Sequence, residues 1–201
     1  MKQLCLAIGL ATFVFTATPA SAATIIFDAC EAGSTLCNHL SMTTTLDGLS
    51  LDVHIDDLGG NYGIFGQSGA NRAFGFNVVG SVAGLAVSDV TTGFTLGTGP
   101  QQISGFGFFD YYFDGPGTGI GAALPFDFTI SRTSGFLSDM DLFEVNATGF
   151  IVAAHLRNNG TEETGFVAVK SLPAQNSPVP EPATMLLLGT GLLVAFRAKR
   201  K

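Results

Sequence analysis

Asp52, His54 and Asp56 alternate with Leu51, Val53 and Ile55, and Asp57 follows them. On a strand, alternate residues share a face, so these polar side chains form either a metal or acid–base cluster or the solvated face of an amphipathic strand. Alternate strand residues stand about 7 Å apart and would converge on one ion only if a bulge bent the strand. The solvated face is the expectation. Asp110 and Asp114 flank Tyr111-Tyr112-Phe113 ahead of a glycine-rich turn, and Asp139, Asp141 and Glu144 make a second acidic group. Both suit calcium, a hard cation taking about six to eight oxygen ligands, although neither has the spacing of an EF-hand or a glycine–aspartate repeat. Two carboxylates flanking a sugar could hydrolyse it, but nothing in the sequence sets their separation or points to a raised pKa.

The remaining constellations are weaker. Gly66-Gln67-Ser68-Gly69 lacks the second glycine of a nucleophile elbow at the required offset. His39, His54 and His155 have no serine or cysteine partner at a telling spacing, and His155 belongs on the polar face of a strand. Gly115 to Ala122 loosely holds a dinucleotide-binding spacing, but a strand follows it, so no helix N-terminus is there to take a phosphate. Neither catalytic residues nor a cofactor are expected. Sugar binding on a β-sandwich uses exposed aromatic platforms. With no tryptophan and three tyrosines, the ligand candidates are Tyr111 and Tyr112, of which alternation exposes one. Asn146-Ala147-Thr148 and Asn159-Gly160-Thr161 match the glycosylation sequon.

The elements that must position these residues read as strands. Leu49, Leu51, Val53 and Ile55 form one apolar face, and Phe74, Phe76 and Val78 repeat the pattern. So do Leu124, Phe126, Phe128 and Ile130, and then Phe150, Val152, Ala154 and Leu156. Ile103 to Phe113 is rich in aromatics, and Phe166 to Val169 closes the series. Turns fall at Gly59-Gly60-Asn61, Gly97-Thr98-Gly99-Pro100, Asp114-Gly115-Pro116-Gly117 and Asn158-Asn159-Gly160, with Asn159-Gly160 the strongest hairpin signal. About seven to nine short strands with glycine-rich connections predict an all-β fold, an antiparallel β-sandwich of jelly-roll type, with phenylalanines filling the space between two sheets. A helical alternative would place many glycines inside helices at about 1 kcal/mol each.

The two ends have a different character. Lys2, the apolar stretch Leu4 to Phe15 and Ala20-Ser21-Ala22 make an export signal with a small-x-small cleavage site, so the mature chain begins at Ala23. At the other end, Pro178, Pro180 and Pro182 stiffen a stalk. An uncharged run from Ala183 to Phe196 follows, and then Arg197-Ala198-Lys199-Arg200-Lys201. At about 1.5 Å per residue the run reaches about 21 Å, close to a bilayer span once Pro182 is counted and the basic stems snorkel. The terminal cations place that end on the cytoplasmic side. Three segments result: a signal peptide over 1–22, an ectodomain over 23–177 and a tail over 178–201.

This order of motifs, with Val179-Pro180-Glu181-Pro182-Ala183-Thr184 ahead of the apolar run, resembles that of PEP-CTERM sorting-domain proteins. The resemblance is confined to residues 178–201. It implies recognition of Pro180, Glu181 and Pro182 by an exosortase, a membrane-embedded processing enzyme. It also implies export to the envelope or surface of a Gram-negative bacterium, transient anchoring in the inner membrane through 183–196, and an association with extracellular polysaccharide or biofilm. It carries a destination, not an activity.

Charge and cysteine usage agree with an exported domain. Between residues 23 and 177 four cations, Arg72, Arg132, Arg157 and Lys170, face fifteen acids, a net of −11. Such a domain repels nucleic acid and anionic lipid. Cys30 and Cys37, the two cysteines left after the signal, read as a short disulfide loop in an exported chain. A zinc site would enlist His39 and lack a fourth ligand. The expected function is a non-catalytic envelope or matrix protein. A carbohydrate-binding module assisted by calcium comes second, and a polysaccharide hydrolase third.

Overall fold

The computed structural model describes residues 22–47, 49–66, 72–80, 84–115, 122–133 and 143–170. The signal segment up to residue 21, Asp139, Asp141 and the tail with Pro180, Glu181 and Pro182 lie outside the described residues.

The described chain is all β, in two antiparallel sheets. The first sheet contains β1 (Ala22–Ile26), β3 (Leu40–Asp47), β4 (Ser50–Asp57), β11 (Phe126–Arg132) and β7 (Leu85–Ser88), side by side in that order. The second contains β10 (Ala122–Ala123), β5 (Tyr62–Ile64), β12 (Val152–Asn158), β6 (Phe74–Phe76), β9 (Gly107–Asp114) and β8 (Thr95–Ile103). In it, β5 and β6 pair with successive stretches of β12. β13 (Thr164–Val169) also pairs with β12, and the two-residue β2 (Ala29–Cys30) pairs with β13.

Alternation decides what lies between the sheets. Leu51, Val53 and Ile55 of β4 and Phe126, Phe128 and Ile130 of β11 are buried, while the residues between them reach solvent. They meet Phe74, Phe76 and Phe113 of the second sheet, with ring centroids 5.9 Å apart for Phe74–Phe126, 5.7 Å for Phe76–Phe128 and 4.8 Å for Phe113–Phe128. Edge-on, tilted and stacked rings at this spacing are favourable aromatic geometries, and each buried ring contributes about 2–3 kcal/mol.

Several local expectations change. Gly97–Pro100 is not a turn: β8 runs through it, with an irregularity in register between Thr98 and Gln101. A bulge absorbs Pro100, which cannot donate to a ladder. The aromatic stretch from Ile103 to Phe113 divides at a turn over 104–106 into the end of β8 and the start of β9. Phe150 leaves the face of Val152 and joins a cluster with Phe106, Ala153, Phe166 and Ala168. The Asn159-Gly160 hairpin is real but its loop is longer than two residues, closed by Asn158 N–H to Glu163 O at 2.8 Å with Glu162 at positive φ.

Candidate functional site

The outer face of the first sheet carries the Asp52-His54-Asp56 series as a set of cross-strand rows. Register places Thr24 beside Thr43, Thr43 beside His54 and His54 beside Asp127. The Thr24 and Thr43 hydroxyls are 3.0 Å apart, and His54 Nδ1 lies 2.6 Å from Asp127 Oδ1. In the next row the Thr129 hydroxyl donates to Asp52 at 2.8 Å. Asp56 Oδ2 is 3.9 Å from His54 Nε2. β4 is straight, so the three side chains stand along it and pair sideways with neighbouring strands. Among the described residues no three His, Cys, Asp or Glu side chains gather as a metal ligand set. Asp57 closes the β4–β5 turn by accepting from the Gly60 and Tyr62 N–H groups at 2.7 and 2.8 Å.

Asp110, Tyr112 and Asp114 share one face of β9, and Tyr111 the other. Tyr111 is 6% exposed and stacks on Phe76 at 5.2 Å, so it is a core residue and no ligand platform. Burial first, and the Asp110 carboxylate second, hold its phenol above the usual range, partly offset by Arg132. Tyr112 is half-buried, with the Arg72 guanidinium 4.2 Å from its ring centroid and its phenol end lying over Gly97 of the facing strand. Arg72 also pairs with Asp114 and donates to Gln101 Oε1 at 3.2 Å. Arg72 Nε and Asp114 Oδ1 are buried without partners, the leftover arm of a fork-to-fork pair.

Asp110 and Asp114, the residues expected to suit calcium, stand in different surroundings. Four residues apart on a strand, their Cα atoms are separated by about 13 Å, with Tyr112 between them. One is exposed and the other is held by Arg72. Glu144, the described member of the second acidic group, is exposed, and its N–H bonds Asn77 O at 3.3 Å. The sequence reading missed Arg72 and Gln101. A signal was present for the first, since one of four cations among fifteen acids has carboxylates to find.

His155 departs from the polar face expected of it. It is 6% exposed, stacked on Phe166 at 4.2 Å and edge-on to Phe65 at 4.8 Å. Around β12 and β13 the outer face of the second sheet, unlike that of the first, is no solvated face. Ile103, Phe106, Phe109, Phe150 and Phe166 make a second apolar layer with Ala153 and Ala168. Burial pulls the His155 pKa down to about 4, and its Nδ1 has no partner.

Three loops are tied together at one end of the sandwich. Cys30 and Cys37 form the disulfide, with Cα atoms 5.3 Å apart, and His39 stacks on Tyr62 at 4.3 Å rather than serving a metal. Glu163 accepts from the Thr35 hydroxyl at 2.7 Å and the Thr35 N–H at 3.1 Å, which holds its carboxyl below the ordinary range. Asn61 O accepts from the Asn159 N–H at 2.9 Å. The Asn146 sequon is structural: its Nδ2 donates to Phe106 O at 2.7 Å, while its Oδ1 accepts from the Thr148 and Phe150 N–H groups, both at 3.0 Å.

Fold and surface together define a disulfide-clipped, acidic β-sandwich whose polar side chains are largely engaged with one another. The chain's destination is set by its tail: residues 178–201 match the PEP-CTERM protein-sorting motif. The chain is thus an exosortase-sorted protein exported to the envelope or surface of a Gram-negative bacterium. No curated protein and no solved structure matches it.

Proposed function

We propose that this chain is a non-catalytic surface protein that takes a structural or interaction role in extracellular polysaccharide or biofilm matrix. It is held transiently in the inner membrane through residues 183–196 before exosortase processing at the tail. The observation that carries this reading is the sorting motif joined to a rigid sandwich. Support also comes from the polar side chains of both outer faces. His54 with Asp127 and Asp52 with Thr129 are paired across strands, and Arg72, just ahead of β6, pairs with Asp114 of β9, an arrangement that stabilises a scaffold. Deleting residues 178–201 tests the anchoring: the domain should move from the envelope fraction to the medium. Unchanged retention would sink it.

A carbohydrate-binding role is the second reading. With Tyr111 in the core and Tyr112 beneath Arg72, it rests on aromatic and charged groups elsewhere in the domain.

A further inference from the structure

Beside the disulfide, the outer face of the second sheet opens into a cleft of about 420 Å³ lined by Asp28, Cys30, Cys37, Phe106, Phe150 and Lys170. That is within the size range of small-ligand sites. Its floor is an edge-to-face pair, Phe106 and Phe150, with centroids 4.8 Å apart, backed by Ala153, Phe166 and Ala168. One residue sets both rings. Asn146 donates to Phe106 O through Nδ2, accepts the Phe150 N–H through Oδ1, and sends its own N–H to Phe150 O at 2.8 Å. One wall is the covalent bridge, which ties Cys30 of β2, the strand paired with β13, to Cys37 in the loop that follows. A floor held by a dedicated polar hub and a wall held by a disulfide are preorganised, so little ordering cost remains for a ligand.

The rim is charged with both signs. Asp28 and Lys170 are exposed, and among the described residues no ion pair joins them or occupies Lys170. Lys170 is the one lysine between residues 23 and 177, and amid fifteen acids its ammonium sits 5.5 Å from the Phe150 ring centroid. The two floor rings are themselves buried, so a ligand here is read by the one acceptor head and the one donor head at the mouth, which fit the hydroxyl edges of a small ring. A wholly apolar ligand would cover both heads and bond neither. A polyanion meets the net charge of −11, and a cation meets Lys170 at the mouth.

We propose that this cleft is a saccharide subsite for one uncharged pyranose unit of a neutral polysaccharide, with ring hydroxyls donating to Asp28 and accepting from Lys170. The proposal rests on the matrix-association reading and names the chemistry it uses. Calorimetric titration of the full chain with neutral β-linked glucose and galactose tetrasaccharides, and with tetrauronates, tests it. Binding of a neutral tetrasaccharide is expected, weakened at least about tenfold by Asp28→Asn and by Lys170→Gln. Both positions are exposed, so each variant should keep the wild-type melting temperature. No binding of the neutral sugars, equal binding by the variants, or preference for the uronates would overturn it. Co-sedimentation with native matrix separates the two ideas. Wild-type and doubly substituted chains sedimenting alike discards the cleft and keeps the matrix reading. A wild type that stays in solution discards the matrix reading.

Discussion

His155 shows how one residue couples the fold to pH. The ring between Phe65 and Phe166 is buried neutral, and its pKa falls from 6.5 to about 4. Above about pH 6.5 both folded and unfolded chains carry a neutral imidazole, and the domain has its full stability. As pH falls from there towards 4 the unfolded chain takes up the proton and the folded one does not, so stability drops, by at most about 3 kcal/mol. His155→Phe keeps an aromatic in the slot and removes the proton. Urea midpoints for the two chains should diverge as pH falls through that window, with the variant losing less. Parallel curves would show that the ring titrates as freely as in the unfolded chain. The Glu163 carboxyl, lowered by Thr35, loses its contribution in the same direction, so the difference between the chains is the quantity to read.

At the scale of the element, the β8–β9 hairpin carries a constraint that neither strand shows alone. Gly97 faces Tyr112, and a methyl group at Gly97 would collide with the phenol end of that ring. Arg72 lies over the ring, so Tyr112 is held in place while completing the ion pair's surroundings. Gly97→Ala should cost about 1–3 kcal/mol from overpacking. With Tyr112→Ala in place the same change should cost much less, and a thermal-denaturation double-mutant cycle reads the coupling. Additive effects would mean that the cost at Gly97 is not a collision with Tyr112. The disulfide acts at the same scale: closing a loop of about eight residues contributes roughly 2–3 kcal/mol in the chain-entropy account and ties β2 to the loop after it.

At the scale of the whole molecule, destination and scaffold are written in separate stretches of chain. The sorting motif covers residues 178–201, and the described sandwich ends at Lys170. Replacing Pro180, Glu181 and Pro182 together with alanine leaves the apolar run and the basic end untouched. If processing reads those three residues, intact-mass measurement of the envelope fraction should find the tail uncut and the chain still in the membrane. A wild-type product mass would place recognition elsewhere in the tail. Between residues 23 and 177 the net charge of −11 favours solubility and disfavours nucleic acid, but it does not choose a fold.

The sequence by itself determined the all-β class, the inward faces of β4 and β11, the disulfide and the sorting tail. Each is written in local spacing: period-two alternation, a cysteine pair, and a motif followed by an apolar run and cations. The solvated reading of Asp52, His54 and Asp56 was legible for the same reason, since a straight strand cannot gather them. What surrounds the second sheet was not legible. Alternation says that His155 opposes Val152's neighbours across the strand, but not whether the face it joins meets water. That depends on Phe166, its partner across the β12–β13 hairpin, which stacks on the ring, and on Phe65, brought from a distant part of the chain to meet it edge-on. The partner of Asp114 was hidden likewise: Arg72 is 42 residues away, on the approach to β6, which pairs with β9. Strand pairing alone makes them neighbours, and tertiary structure therefore decided which polar residues are free to meet a ligand.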